Sequence, residues 1–136
     1  MSVTSPCHSL FVYGTLLRRC GHPMARFLAE HGRYRGAAKV PGRLYDIGRY
    51  PAAIAEHDEK EWIFGDLYDI DDATLRALDD YESEESPQPA FFGRQLQQVT
   101  LETGGDANAW VYWFHGPLPA SAARIASGKY EKFFRE

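Results

Sequence analysis

Leu10-Phe11-Val12-Tyr13-Gly14-Thr15-Leu16 opens as an uncharged, β-prone run and breaks at a Tyr-Gly-Thr-Leu turn. Phe and Val suit a pleated surface, and no charge interrupts the run, so it reads as a buried strand. Gly14 has no Cβ and free φ. Two roles fit it. It is an ordinary turn glycine, or it opens a strand end so that a ligand reaches a concave cradle of successive N–H groups.

Downstream, Pro23 stands where the first turn of a helix tolerates proline. Met24, Phe27, Leu28 and His31 follow as one apolar stripe that ends before Gly32. Short β-like runs come next: Tyr34 to Val40, a turn at Pro41-Gly42, Arg43 to Ile47, and a bend at Gly48-Arg49-Tyr50 into the small-residue run Pro51-Ala52-Ala53. Trp62 to Asp69 alternates as a strand, with Gly65 inside it as a bulge or close-approach point. Phe92 to Leu101 and Ala109 to Phe114 read as two strands joined by a hairpin at Thr103-Gly104-Gly105-Asp106. A short helix is expected around Ala120 to Ala126, ending at Gly128. The class predicted is α+β, a small mixed barrel-like sheet flanked by two or three helices.

The second informative stretch is Asp71-Asp72-Ala73-Thr74-Leu75-Arg76-Ala77-Leu78-Asp79-Asp80-Tyr81-Glu82. Asp71 or Asp72 caps a helix, where acids suit the positive end. Leu75 and Leu78 define its buried face, and Asp79 and Asp80 are expected in solvent. Glu82, four residues after Leu78, shares the buried face if the helix reaches it. A carboxylate facing an apolar interior has its pKa raised and becomes a proton shuttle near neutrality. If the helix frays earlier, Glu82 stands in water with Glu84 and Glu85.

The 136 residues are expected to form one domain over residues 1–136. The high aromatic share, 14%, suits a compact β-rich core. A net charge of −4 gives no positive field to recruit nucleic acid or an acidic membrane. Cys7 and Cys20 lack metal-ligand spacing and secreted-scaffold density, and the reading places the protein in a reducing cytoplasm. Met1-Ser2-Val3-Thr4-Ser5-Pro6 does not read as a signal peptide, and no apolar run has the length of a membrane span.

Phe11-Val12-Tyr13-Gly14-Thr15-Leu16 resembles the first signature of the γ-glutamylcyclotransferase-like (AIG2-like) family. Leu78-Asp79-Asp80-Tyr81-Glu82 is similar to its second, whose glutamate is the catalytic acid/base. Phe92-Gly93-Arg94, Gly42-Arg43-Leu44-Tyr45-Asp46, Tyr50-Pro51-Ala52, Gly65-Asp66-Leu67-Tyr68, Ala109-Trp110-Val111-Tyr112 and Ser127-Gly128-Lys129-Tyr130 also look like family blocks, in family order. The chain departs from the pattern at Ser83, usually glycine, at Phe92, usually tyrosine, and in the linker Glu84 to Ala90 with its two prolines. These differences bear on the substrate more than on the reaction. Length and motif placement resemble the short γ-glutamylamine-type members.

The resemblance implies an enzyme that needs no cofactor. A γ-glutamyl amide is attacked by its own α-amine, giving 5-oxoproline and a free amine. The resemblance makes Glu82 the acid/base. The N–H groups of Gly14, Thr15 and Leu16 hold the carboxylate and the oxyanion. Tyr13 and Tyr112 wall the slot, and Arg94 either orients a carboxylate or serves as a structural ion-pair partner. The expected partner is a small γ-glutamyl molecule, and the oligomeric state is left open.

Three rival readings compete with this one. Five histidines (His8, His22, His31, His57, His115) show no zinc spacing, so no metal site is expected. Cys20 follows two arginines but has no evident histidine partner for thiol catalysis. A non-catalytic small-ligand-binding domain with the same pocket is the alternative from another class.

Overall fold

A computed structural model describes residues 8–13, 23–46, 51–55, 61–85 and 92–129. Seven strands and two helices lie within these residues, in the order β1 (His8–Val12), α1 (Pro23–His31), β2 (Arg33–Asp46), β3 (Pro51–Ala55), β4 (Trp62–Ile70), α2 (Asp72–Glu85), β5 (Phe92–Leu101), β6 (Asp106–Phe114) and β7 (Ala123–Ile125). Neighbours run β2-β4-β1-β6-β5, and β5 pairs back onto β2, so five strands close into a barrel. β1 and β6 are parallel and the other barrel pairs antiparallel, which makes the barrel mixed. The expected α+β class and barrel-like sheet are what forms.

Register assigns the two faces, because paired residues point the same way and alternate residues point oppositely. Phe11 pairs with Leu67, and Val40 with Ile63. With Ala38, Val99, Val111 and Trp113 they fill the barrel, all 3% exposed or less. Leu10, Val12, Tyr68 and Ile70 face outward. They are buried with Leu28 of α1 and with Leu75 and Leu78 of α2 in the same core. Each large apolar side chain so buried contributes about 1.5–3 kcal/mol.

Two sequence readings are corrected. Pro41-Gly42 is not a turn: β2 runs unbroken from Arg33 to Asp46. It changes partner there instead. Residues up to Pro41 pair with β4, and from Gly42 onward they pair with β3. Proline has no N–H for a ladder, and a change of partner is where that loss is tolerated. Gly42 is needed for space, since a Cβ would lie 2.8 Å from Ile63 Cδ1 and 2.9 Å from the Ile54 carbonyl oxygen. The helix expected at Ala120 to Ala126 does not form either. Ala123–Ile125 is a strand on the far half of β2, Leu44 opposite Ile125. An unpaired strand edge outweighs the modest helix preference of a few alanines.

Other expectations hold. α1 starts at Pro23, and Gly32 closes it with its N–H on the Leu28 carbonyl at 2.8 Å. The hairpin turns through Gly104 and Gly105, both at positive φ. Ile47 and Gly48 to Tyr50 lie outside the described residues, as do Cys7, Cys20 and Gly14 to Leu16.

Gly65 is a close-approach point. A Cβ there would collide with the Val12 carbonyl oxygen and lie 2.9 Å from Phe11 Cζ. Val12 pairs with Asp66 beside it, so the backbone of β1 cannot retreat without opening the barrel. Gly65→Ala is expected to destabilise the fold by about 1–3 kcal/mol, the range of overpacked cores. Urea unfolding measures this, and a loss under about 0.5 kcal/mol would contradict the packing described.

Candidate active site

Helix α2 lies on the outer face of β1 and β6, and its start is built locally. Asp71 accepts the Thr74 N–H on Oδ1 at 2.8 Å, and its carbonyl accepts the Leu75 N–H at 3.0 Å. Asp71 is therefore the N-cap. Asp72 is the first helical residue, with Oδ1 2.5 Å from His8 Nε2 at the start of β1. Thr74, Leu75 and Leu78 are the buried side of the first turns. α2 continues to Glu85, so Glu82 stands inside the helix and not in a frayed end.

The middle of α2 is tied to the sheet by charge. Arg94 of β5 donates Nε to Asp79 Oδ1 at 2.8 Å and Nη2 to Oδ2 at 3.0 Å. The Tyr112 hydroxyl of β6 donates to Asp79 Oδ1 at 2.6 Å. Arg94 and Tyr112 are cross-strand partners, so both meet one carboxylate without distorting the hairpin. The Asp79 hydrogen bonds hold the Arg94 guanidinium above its ordinary pKa, against a smaller opposing effect of burial. The guanidinium also lies over the Trp110 ring, 4.2 Å from its centroid. Arg94 and Asp79 side chains are 27% and 33% exposed, so the pair is worth about 1 kcal/mol, the upper end for exposed pairs. Its two-pronged geometry supplies direction as well as energy.

A second link joins the end of β1 to the same cluster. The Tyr13 hydroxyl donates to the Tyr112 carbonyl oxygen at 2.5 Å, buried. A continuous path thus runs from Tyr13 through Tyr112 and Asp79 to α2. At the other end of β1, the Trp110 indole N–H reaches His8 Nδ1 at 3.4 Å. His8, Asp72, Leu75, Arg76, Arg94 and Trp110 line an open cleft of about 230 Å³ at this end.

Of the site residues expected from sequence, Tyr112 and Arg94 meet on this face at Asp79, and Tyr13, its ring stacked with Phe11, joins Tyr112 at the backbone carbonyl. Glu82 falls in the helix that crosses it. Gly14, Thr15 and Leu16 lie outside the described residues and directly follow Tyr13 in the chain. Asp79 is a correction: expected in solvent, it is the acceptor at the centre of the cluster, whereas Asp80 is exposed as expected. Two signals were present. Asp79 is four residues from Leu75 and so shares its face. The Gly104-Gly105 hairpin also sets Arg94 opposite Tyr112.

Comparison with known proteins points one way. The family described as "Gamma-glutamyl cyclotransferase, AIG2-like" matches residues 10–132. The γ-glutamylaminecyclotransferase of Bos taurus is 33% identical over 129 residues, covering 79% of this chain and 71% of its own length. A putative γ-glutamylcyclotransferase of Methanocaldococcus jannaschii is 24% identical over 125 residues, covering 91% and 96%. The crystal structure of an AIG2-like protein from Mus musculus superposes with a TM-score of 0.64 at 27% identity, covering 82% of this chain and 80% of that one.

The cap of α2 gives a pH-dependent test. The Thr74 hydroxyl and then the Thr74 N–H hold the Asp71 carboxyl below the usual carboxylate range. A carboxyl depressed on folding stabilises the fold fully above its unfolded pKa, and loses that effect as pH falls through its folded value. Asp71→Ala is therefore expected to lower Tm at pH 7, with the gap from wild type closing below about pH 4. Thermal melts from pH 7 to pH 2.5 measure it, and a gap constant across that range would exclude the cap.

Proposed function

Since the chain belongs to the AIG2-like γ-glutamylcyclotransferase family of enzymes, we propose that it cleaves a γ-glutamyl amide by intramolecular cyclisation, with Glu82 as general acid/base. The substrate's α-amine attacks its γ-carbonyl carbon, the ring closes to 5-oxoproline, and the bond to the leaving nitrogen breaks. The nucleophile is tethered to its electrophile, so proximity is built into the substrate. What remains for the protein is proton transfer, charge stabilisation and shaping of the glutamyl chain.

The observation that carries the reading is the lie of α2 along β1. Asp72 meets His8 at the start of β1, and Asp79 is joined through Tyr112 to Tyr13 just past its end. The two elements therefore run the same way. Glu82 is one turn beyond Asp79, about 4.5 Å further along the axis at 1.5 Å per residue. That turn lies toward the end of the sheet where the chain passes from Tyr13 into Gly14.

In this reading Glu82 takes a proton from the α-ammonium and returns it to the leaving nitrogen. The N–H groups of Gly14, Thr15 and Leu16 hold the substrate carboxylate and the developing oxyanion. Tyr13 and Tyr112 wall the slot. Arg94 is already engaged by Asp79 and serves it as an ion-pair partner. The names of the mammalian relatives favour a γ-glutamylamine over a γ-glutamyl amino acid as substrate.

The test is 5-oxoproline release from a panel of γ-glutamylamines and γ-glutamyl amino acids, wild type beside Glu82→Gln. The amide keeps the shape and removes the titrating group. The substitution is expected to lower kcat by about 10²–10⁴ while substrate still binds. A folded Glu82→Gln protein with near-normal kcat would overturn the assignment. Ligand binding without release by wild type would favour the binding-only alternative.

A further inference from the structure

We infer that Asp79 is a positioning residue for this reaction, setting the distance between the acid/base turn of α2 and the end of β1; the inference rests on the reading of Glu82 given above. Both Asp79 oxygens are committed. Oδ1 takes Arg94 Nε and the Tyr112 hydroxyl, and Oδ2 takes Arg94 Nη2. Tyr112 in turn carries the Tyr13 hydroxyl on its carbonyl oxygen. Three hydrogen bonds into one carboxylate, and one beyond it, thus connect Tyr13, which precedes Gly14, to the helical turn that precedes Glu82.

The N-terminal half of α2 has its own anchors: the Asp71 cap, the His8 contact, and the burial of Thr74, Leu75 and Leu78. Beyond Leu78, Asp79 is the described side chain that bonds the helix to the sheet, and Asp80 is exposed. The first turns of α2 keep these anchors when Asp79 is lost, and the inference is that the turns after it loosen. Apolar contact fixes the depth of a helix but tolerates sliding, whereas a carboxylate received by a guanidinium fork and a hydroxyl fixes direction as well. Cyclisation is sensitive to such placement, since a misplacement of about 1 Å can cost about 10²-fold in rate.

Asparagine isolates the effect. It keeps the volume of Asp79, removes its charge, and turns one acceptor into an NH₂ donor that opposes the Arg94 donors. Two readouts are taken on Asp79→Asn: steady-state 5-oxoproline release from a γ-glutamylamine, and amide hydrogen exchange along α2. The expected result is a kcat about 10- to 100-fold lower, with KM changed less than about threefold. Exchange is expected to quicken about tenfold or more at residues 80–85 and to stay unchanged at residues 75–78. Placing Asp79→Asn in a Tyr112→Phe background should cost less than the same change in wild type, because one of the three hydrogen bonds into the carboxylate is already gone while the Arg94 fork is still there to lose. Unchanged kcat, or exchange that quickens equally along the whole helix with a matching fall in Tm, would overturn the inference. If wild type releases no 5-oxoproline, the cyclotransferase reading itself fails. The exchange arm then decides alone: local quickening at 80–85 keeps Asp79 as the residue that positions this turn, and its absence removes that role.

Discussion

One carboxylate receives a guanidinium fork and a phenol from two adjacent strands, and the outer face of the barrel is arranged around it. Asp79 meets Arg94 and Tyr112 because those residues are cross-strand partners in the β5–β6 hairpin. The hairpin in turn presents the Tyr112 carbonyl to Tyr13. A helix, a hairpin and the end of the first strand are thereby indexed to one another. Each bond is modest in energy, because the ion pair is partly exposed. Their joint effect is geometric, and geometry is what a cyclisation with a built-in nucleophile demands of its enzyme.

The barrel beneath depends on a second constraint, close backbone approach. β1 lies against β4 so tightly at Gly65 that no side chain fits, and β2 crosses above Ile63 and Trp113 at Gly42. β2 serves two sheets: its first part closes the barrel with β4 and β5, and its second part pairs with β3 on one side and β7 on the other. A long strand that changes partners brings sequence-distant segments together without a buried loop. Among the described residues no helix is long and apolar enough to cross a membrane.

Much of this was legible from residues alone. Alternation and turn chemistry located β4, β5 and β6 to within a few residues, and proline and glycine bracketed α1. The first signature stretch begins in an inner strand, and the second falls in the helix beside it. The misreadings share one cause. Pro41-Gly42 carries the local chemistry of a turn, and Ala120 to Ala126 that of a short helix. In both places the outcome was set by a distant partner: β3 and β4 for the first, the far half of β2 for the second.

Asp79 shows the same division within the site. Beside Asp80 in a polar run, it has the composition of a solvated helix face. Its role exists only because the hairpin register sets Arg94 and Tyr112 opposite it. The sequence by itself determined the periodicities, the punctuation and the family signatures, because these depend on neighbours within one or two turns of chain. The tertiary structure alone decided the partner exchange of β2, the strand fate of Ala123–Ile125 and the anchoring of Asp79. Those depend on pairing energies between segments as distant as Leu44 and Ile125, which no local propensity encodes.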